Sequence, residues 1–132
     1  MTSRSDDDRP TLLSGRAFPL DITILIVEDE SIVAWDVEQI FRDYGVKSIL
    51  SAQTLGQAKE FLSQHHDIAV VLLDLKLNDG LGSDLIDELT GRSIPIVITT
   101  GYFGHEDHRF PVLFKPYSSM VLLETVLDAI HK

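Results

Sequence analysis

From residue 20 onward the chain alternates short apolar runs with longer segments in which apolar residues recur every three or four positions. No other feature restricts its fold as far. The runs cover residues 22–27, 46–50, 68–73, 94–98 and 112–114. Nearly continuous Ile, Val and Leu is the pattern of a strand covered on both faces, as strands of a parallel sheet are. Between the runs lie apolar stripes: Ile32, Val33, Val37, Ile40, Phe41 and Tyr44; then Leu55, Ala58 and Leu62; then Leu85, Ile86 and Leu89; and finally Met120, Leu123, Val126, Leu127 and Ile130. Each stripe predicts an amphipathic helix, and Gly45 and Gly91 suit the C-terminal ends of the first and third. The alternation predicts βα units repeated around one parallel sheet. Residues 101–110 are short for a helix and punctuated by Gly101 and Gly104, so the fourth helix is expected to be short or missing.

Length and charge narrow the options further. The 132 residues, 44% of them apolar, suit one domain with a sizeable core. Residues 1–19 are polar, interrupted by Pro10, Gly15 and Pro19, and are expected to form a flexible lead to a folded domain at 20–132. With 11 basic and 21 acidic side chains, the net charge of −10 repels a polyanion and argues against nucleic-acid binding. The absence of cysteine excludes disulfides, thiolate metal sites and a Cys nucleophile. No apolar run reaches membrane-spanning length, and Asp6, Asp7 and Asp8 stand where a secretory signal is basic and then apolar. The expectation is a cytoplasmic protein that does not engage a membrane.

The charged residues fall at one edge of the expected sheet. Glu28 and Asp29 follow the first run, Asp74 follows the third, Thr99 and Thr100 follow the fourth, and Lys115 follows the fifth. Open parallel α/β sheets bind ligands outside the carboxyl ends of their strands, so these distant segments can converge on one pocket. Three carboxylates within roughly 5 Å repel by about 3 kcal/mol per pair at an effective dielectric of about 20, more than one lysine offsets. An all-oxygen donor set without cysteine favours a hard ion, and Mg²⁺ is the ion held by a few carboxylates while it keeps several waters. In such a site one carboxylate can act as nucleophile toward phosphorus, while a lysine and a hydroxyl balance the developing charge.

Four segments carry a resemblance: Val-Glu-Asp-Glu after the first run, Leu-Leu-Asp-Leu-Lys-Leu-Asn-Asp-Gly around Asp74, Ile-Thr-Thr-Gly-Tyr after the fourth, and Phe-Lys-Pro-Tyr after the fifth. In this order they resemble the receiver domains of two-component response regulators, over nearly the whole chain. The resemblance implies a flavodoxin-like sheet of five parallel strands in the order 2-1-3-4-5. It implies that Glu28 and Asp29 are the acidic pair, Asp74 the phosphoryl acceptor, and Lys76 the residue whose backbone carbonyl joins the Mg²⁺ shell. Thr100 matches the hydroxyl switch residue, with Thr99 its neighbour, and Lys115 the lysine that pairs with the phosphoryl group. The Lys115–Pro116 bond is then expected to be cis. A histidine kinase or phosphotransfer protein is the implied donor, and an unidentified downstream protein the implied receiver of the signal.

Three positions depart from the family pattern. Asn78 stands where many receivers have proline, Val112 takes the place of an aromatic rotamer switch, and Thr100 lies closer to Lys115 than a complete fourth helix allows. The last point, with Ile98, Thr99, Thr100, Gly101, Tyr102 and Phe103, is loosely similar to a subgroup marked by Phe-Ala-Thr-Gly-x-Tyr and a reduced fourth helix. Phosphorylation is accordingly expected to act on residues 100–110. With no output domain after the last stripe, the signal is expected to leave by protein contacts or phosphorelay. A Mg²⁺-dependent phosphatase or nuclease is the rival from another class, but Leu75 and Lys76 supply no second acid beside Asp74. A receiver that only binds partners is disfavoured by the complete acid set, and a flavin-binding flavodoxin by Glu28, Asp29 and Glu30 where a phosphate loop belongs. His105 and His108 are read as part of a solvated polar turn in preference to a metal site, and Trp35, off the main stripe, as a candidate partner contact.

Overall fold

The computed structural model describes residues 15–77, 79–101 and 109–131. Its main sheet contains β1 (Thr23–Val27), β2 (Ser48–Ala52), β3 (Ile68–Asp74), β6 (Ile96–Thr100) and β7 (Val112–Phe114), parallel throughout and ordered β2-β1-β3-β6-β7. A two-stranded ribbon, β4 (Lys76–Leu77) and β5 (Gly80–Leu81), lies outside that sheet, so the order is the expected one. The helices are α1 (Ser31–Asp43), α2 (Leu55–Gln64), α3 (Ile86–Gly91), preceded by a 3-10 turn at Gly82–Leu85, and α4 (Ser119–Ile130). The expected short or missing fourth helix, the His105 and His108 pair and Asn78 lie outside the described residues, as do residues 1–14.

Alternation along the strands sends side chains to two cores. Ile24, Ile26, Val70, Leu72 and Val97 pack with Phe41 of α1 and with Leu122, Val126 and Leu127 of α4. Leu25, Val27, Val71, Leu73, Ile96 and Ile98 pack with Leu55, Ala58 and Leu62 of α2 and with Ile86 and Leu89 of α3. Every residue of β1 and β6 is buried, which is why these strands read as continuous apolar runs.

Three boundaries differ from the sequence expectation. Val46 ends α1 and does not start β2: the Gly45 amide donates to the Arg42 carbonyl at 2.9 Å and the Val46 amide to the Phe41 carbonyl at 3.1 Å, with Gly45 at φ +101°. This is a Schellman closure, whose last residue is apolar because it packs back on the helix. The same closure ends α3, with Ser93 at φ 56° in the left-handed position and the Ile94 amide bonded to the Leu89 carbonyl at 3.0 Å. Gly91 is the last residue of that helix and not its left-handed closer. The packed chain also begins before residue 20. Phe18 is fully buried with its ring 5.7 Å from that of Phe41, and Arg16 forms ion pairs with Glu124 and Asp128 of α4. One aromatic in a polar stretch has no periodicity, so composition alone assigned it to the lead. Among the described residues, no helix is long and apolar enough to cross a membrane.

Candidate functional site

The carboxyl edge of the sheet assembles the polar residues. Glu28 follows β1, and its amide donates to the carbonyl of Ala52 at 2.9 Å, tying it to the end of β2. The residue is buried; its Oε2 accepts from the Glu30 amide at 3.1 Å, which turns Oε1 toward Lys115. Asp74 is the last residue of β3 and is buried; its Oδ1 accepts from the Lys76 amide at 3.0 Å. Lys115 directly follows β7, and its amide donates to the Thr100 carbonyl at 2.8 Å, fixing the ends of β6 and β7 together.

From that position the Lys115 ammonium reaches both acids, donating to Glu28 Oε1 at 2.5 Å and to Asp74 Oδ2 at 2.9 Å. Oxygens of Glu28, Asp29 and Asp74 all lie within 4.8 Å of one another. A cleft of about 470 Å³ opens onto the group, lined by Asp29, Glu30, Asp74, Lys76, Leu77, Gly101 and Lys115. Thr99 is the register partner of Asp74, and Thr100 is the next residue along; both are buried. The Lys115–Pro116 bond is cis, as the resemblance implied.

Electrostatics follow from two carboxylates, Glu28 and Asp74, sharing one ammonium, with a third, Asp29, in the same cluster. Burial pushes Glu28 up to about 7, against the hydrogen bonds from Lys115 and the Glu30 amide. Burial pulls the Lys115 ammonium down, but its bonds to Glu28 and Asp74 outweigh that and hold it above the ordinary lysine value. A hard divalent cation fits this donor set: it would give three clustered carboxylate oxygens a common partner and offset the burial that disfavours the charged form of Glu28.

One feature escaped the sequence reading, and another extends it. Asp79 accepts from the amides of Leu55 at 2.8 Å and Gly56 at 3.2 Å, and these bonds hold its carboxyl below the usual range. The Asn78-Asp79-Gly80 triplet was a turn signal that would have exposed the ribbon. Trp35, 63% exposed, lines a second groove with Ile32, Ile40, Pro116 and Tyr117, beside Lys115.

A doubly wound parallel sheet of order 2-1-3-4-5 with acids and one lysine at its carboxyl edge defines a flavodoxin-like α/β domain with a polar cleft at that edge. Within that class the chain belongs to the response regulator receiver domain family, whose model matches residues 24–126. It is 31% identical over 93 residues to the phyllosphere-induced regulator PhyR of Methylorubrum extorquens, covering 67% of this chain and 35% of PhyR. It is 26% identical over 131 residues to the transcriptional regulatory protein PdtaR of Mycobacterium tuberculosis, covering 93% of this chain and 62% of PdtaR. The chain thus spans about a third of one relative and about three fifths of the other. Among solved structures, SdrG of Sphingomonas melonis matches with a TM-score of 0.71 and 28% identity, over 84% of this chain and 97% of SdrG. A CheY-like receiver of Methanospirillum hungatei shares the fold, with a TM-score of 0.74 at 24% identity over 83% of this chain and 94% of that one.

Proposed function

We propose that this receiver is a cytoplasmic phosphorylation switch in which Asp74 accepts a phosphoryl group from the phosphohistidine of a kinase or phosphotransfer protein. The observation that carries it is Lys115, 2.9 Å from Asp74 Oδ2 and 2.5 Å from Glu28 Oε1, with Asp29 in the same cluster at the mouth of an open cleft. The carboxylates of Glu28, Asp29 and Asp74 and the backbone carbonyl of Lys76 would hold Mg²⁺, which supplies charge neutralisation between the acids and the phosphoryl oxygens. Asp74 Oδ2 attacks phosphorus, the phosphorus–nitrogen bond of the donor breaks, and an acyl phosphate forms. Lys115 exchanges its carboxylate partner for a phosphoryl oxygen, and the Thr100 hydroxyl donates to another. The added charge of about −1.5 to −2 is then read by a downstream protein.

Intact mass after incubation with Mg²⁺ and acetyl phosphate is the test. The parent gains one phosphoryl group and Asp74→Asn gains none. Labelling of Asp74→Asn at the parent rate, mapped to another residue, overturns the assignment.

A further inference from the structure

Helix α2 closes its own N-terminus. Thr54 Oγ1 accepts from the Gln57 amide at 3.0 Å, and Gln57 Oε1 accepts from the Gln53 amide at 2.8 Å, a reciprocal arrangement close to a capping box. The next acceptor comes from elsewhere. Asp79, 24 residues from Leu55, stands between the two strands of the ribbon and takes the amides of Leu55 and Gly56 on its two oxygens. A helix already capped gains an additional stabilising anion; the ribbon gains its anchor to the rest of the fold.

The ribbon needs one. It has two residues per strand, with Lys76 opposite Leu81 and Leu77 opposite Gly80, and hairpins that short are marginal alone. It is also wedged tightly. A Cβ on Gly80, which holds φ +151°, would come within 2.6 Å of Leu55 Cδ1, and one on Gly82 within 2.1 Å of the Asp74 carbonyl oxygen. At the base of the ribbon, the Gly82 amide donates to the Leu75 carbonyl at 3.0 Å, and the Lys76 amide donates to Asp74 Oδ1. The acceptor carboxylate is therefore oriented from two sides, by the ribbon on Oδ1 and by Lys115 on Oδ2.

We infer that Asp79 is a positioning residue for phosphoryl transfer: by clamping the ribbon to the N-terminus of α2 it keeps the Lys76 amide on Oδ1 and leaves Oδ2 to face the incoming phosphorus. This rests on Asp74 being the acceptor.

The test compares initial labelling rates of the parent, Asp79→Ala, Asp79→Asn and Thr54→Ala with Mg²⁺ and acetyl phosphate, below all their melting temperatures. Asp79→Ala should label about tenfold slower, since small losses of alignment are costly in group transfer. Asp79→Asn, which keeps one acceptor oxygen, should recover part of the rate. Thr54→Ala should melt earlier, as loss of a cap does, yet label at the parent rate. Hydrogen exchange at the Lys76 amide should accelerate in Asp79→Ala and not in Thr54→Ala. Equal rates for Asp79→Ala and the parent, or equal slowing in Asp79→Ala and Thr54→Ala, overturn the inference alone. A parent that takes no phosphoryl group overturns the acceptor assignment and the inference with it.

Discussion

The two edges of the sheet solve the same problem, turning the chain between strand and helix, with opposite materials. At the amino edge, α1 and α3 both end in a Schellman closure that hands the chain to an apolar residue, Val46 or Ile94, buried at 1% and 8% exposure. Backbone bonds and hydrophobic contact satisfy each other at these two closures. At the carboxyl edge the turns deliver Glu28, Asp29, Asp74 and Lys115, buried or half-buried charges that must be satisfied by one another. If the carboxyl edge is the reactive one, as proposed, a substitution at the amino edge should change stability and leave labelling nearly intact.

The strongest way to break that separation is Phe18→Ala, against Phe41 on the seam between α1 and α4. Removing a fully buried phenylalanine should cost about 3–5 kcal/mol in denaturant titration. Labelling of the molecules that remain folded should still go to Asp74; loss of labelling in folded protein would show that the edges are coupled.

At the carboxyl edge, Mg²⁺ at 100 times its dissociation constant should stabilise the fold by about 2.7 kcal/mol over chelated protein, an effect lost in Asp29→Ala. Its pH dependence follows from Glu28, held at about 7 against an ordinary 4.5. The folded protein keeps a proton that the unfolded chain has shed, so in metal-free protein this group's contribution to stability falls as pH rises from 4.5 to 7. The ion needs the charged carboxylate, and its binding therefore strengthens over the same window. Melting curves with and without Mg²⁺ should differ more at pH 8 than at pH 6; a larger difference at pH 6 would remove Glu28 from the donor set.

The smallest effect should come from Ser93→Gly at the amino edge. A non-glycine residue at φ 56° carries strain that glycine does not, so the variant should gain up to about 1 kcal/mol, with labelling unchanged. A loss of stability would show that Ser93 contributes something beyond its backbone conformation.

The five strands and the acidic cluster were legible because continuous apolar runs mark doubly covered strands and because a charge at the end of such a run has few structural roles; the strand order came only with the resemblance to receiver domains. The boundaries at Val46 and Ile94 were not, since an apolar residue that closes a helix looks the same in sequence as one that opens a strand. Phe18 was missed because a lone aromatic buried by long-range packing leaves no period. Asp79 was missed for a related reason: its partners, the amides of Leu55 and Gly56, are backbone groups that no side-chain pattern announces.

Phe18 and Arg16 also determine how this domain behaves when cut from its surroundings. The stretch that matches the family model runs from Ile24 to Val126, omitting the aromatic plug at one end and Leu127 and Ala129 of α4 at the other. A fragment trimmed to those limits would bare an apolar strip along the seam of α1 and α4, and in water such a strip seeks a cover. The readiest cover is the same strip on another molecule, so trimmed protein should be sticky and self-associating while the chain begun at Met1 stays dispersed under the same conditions.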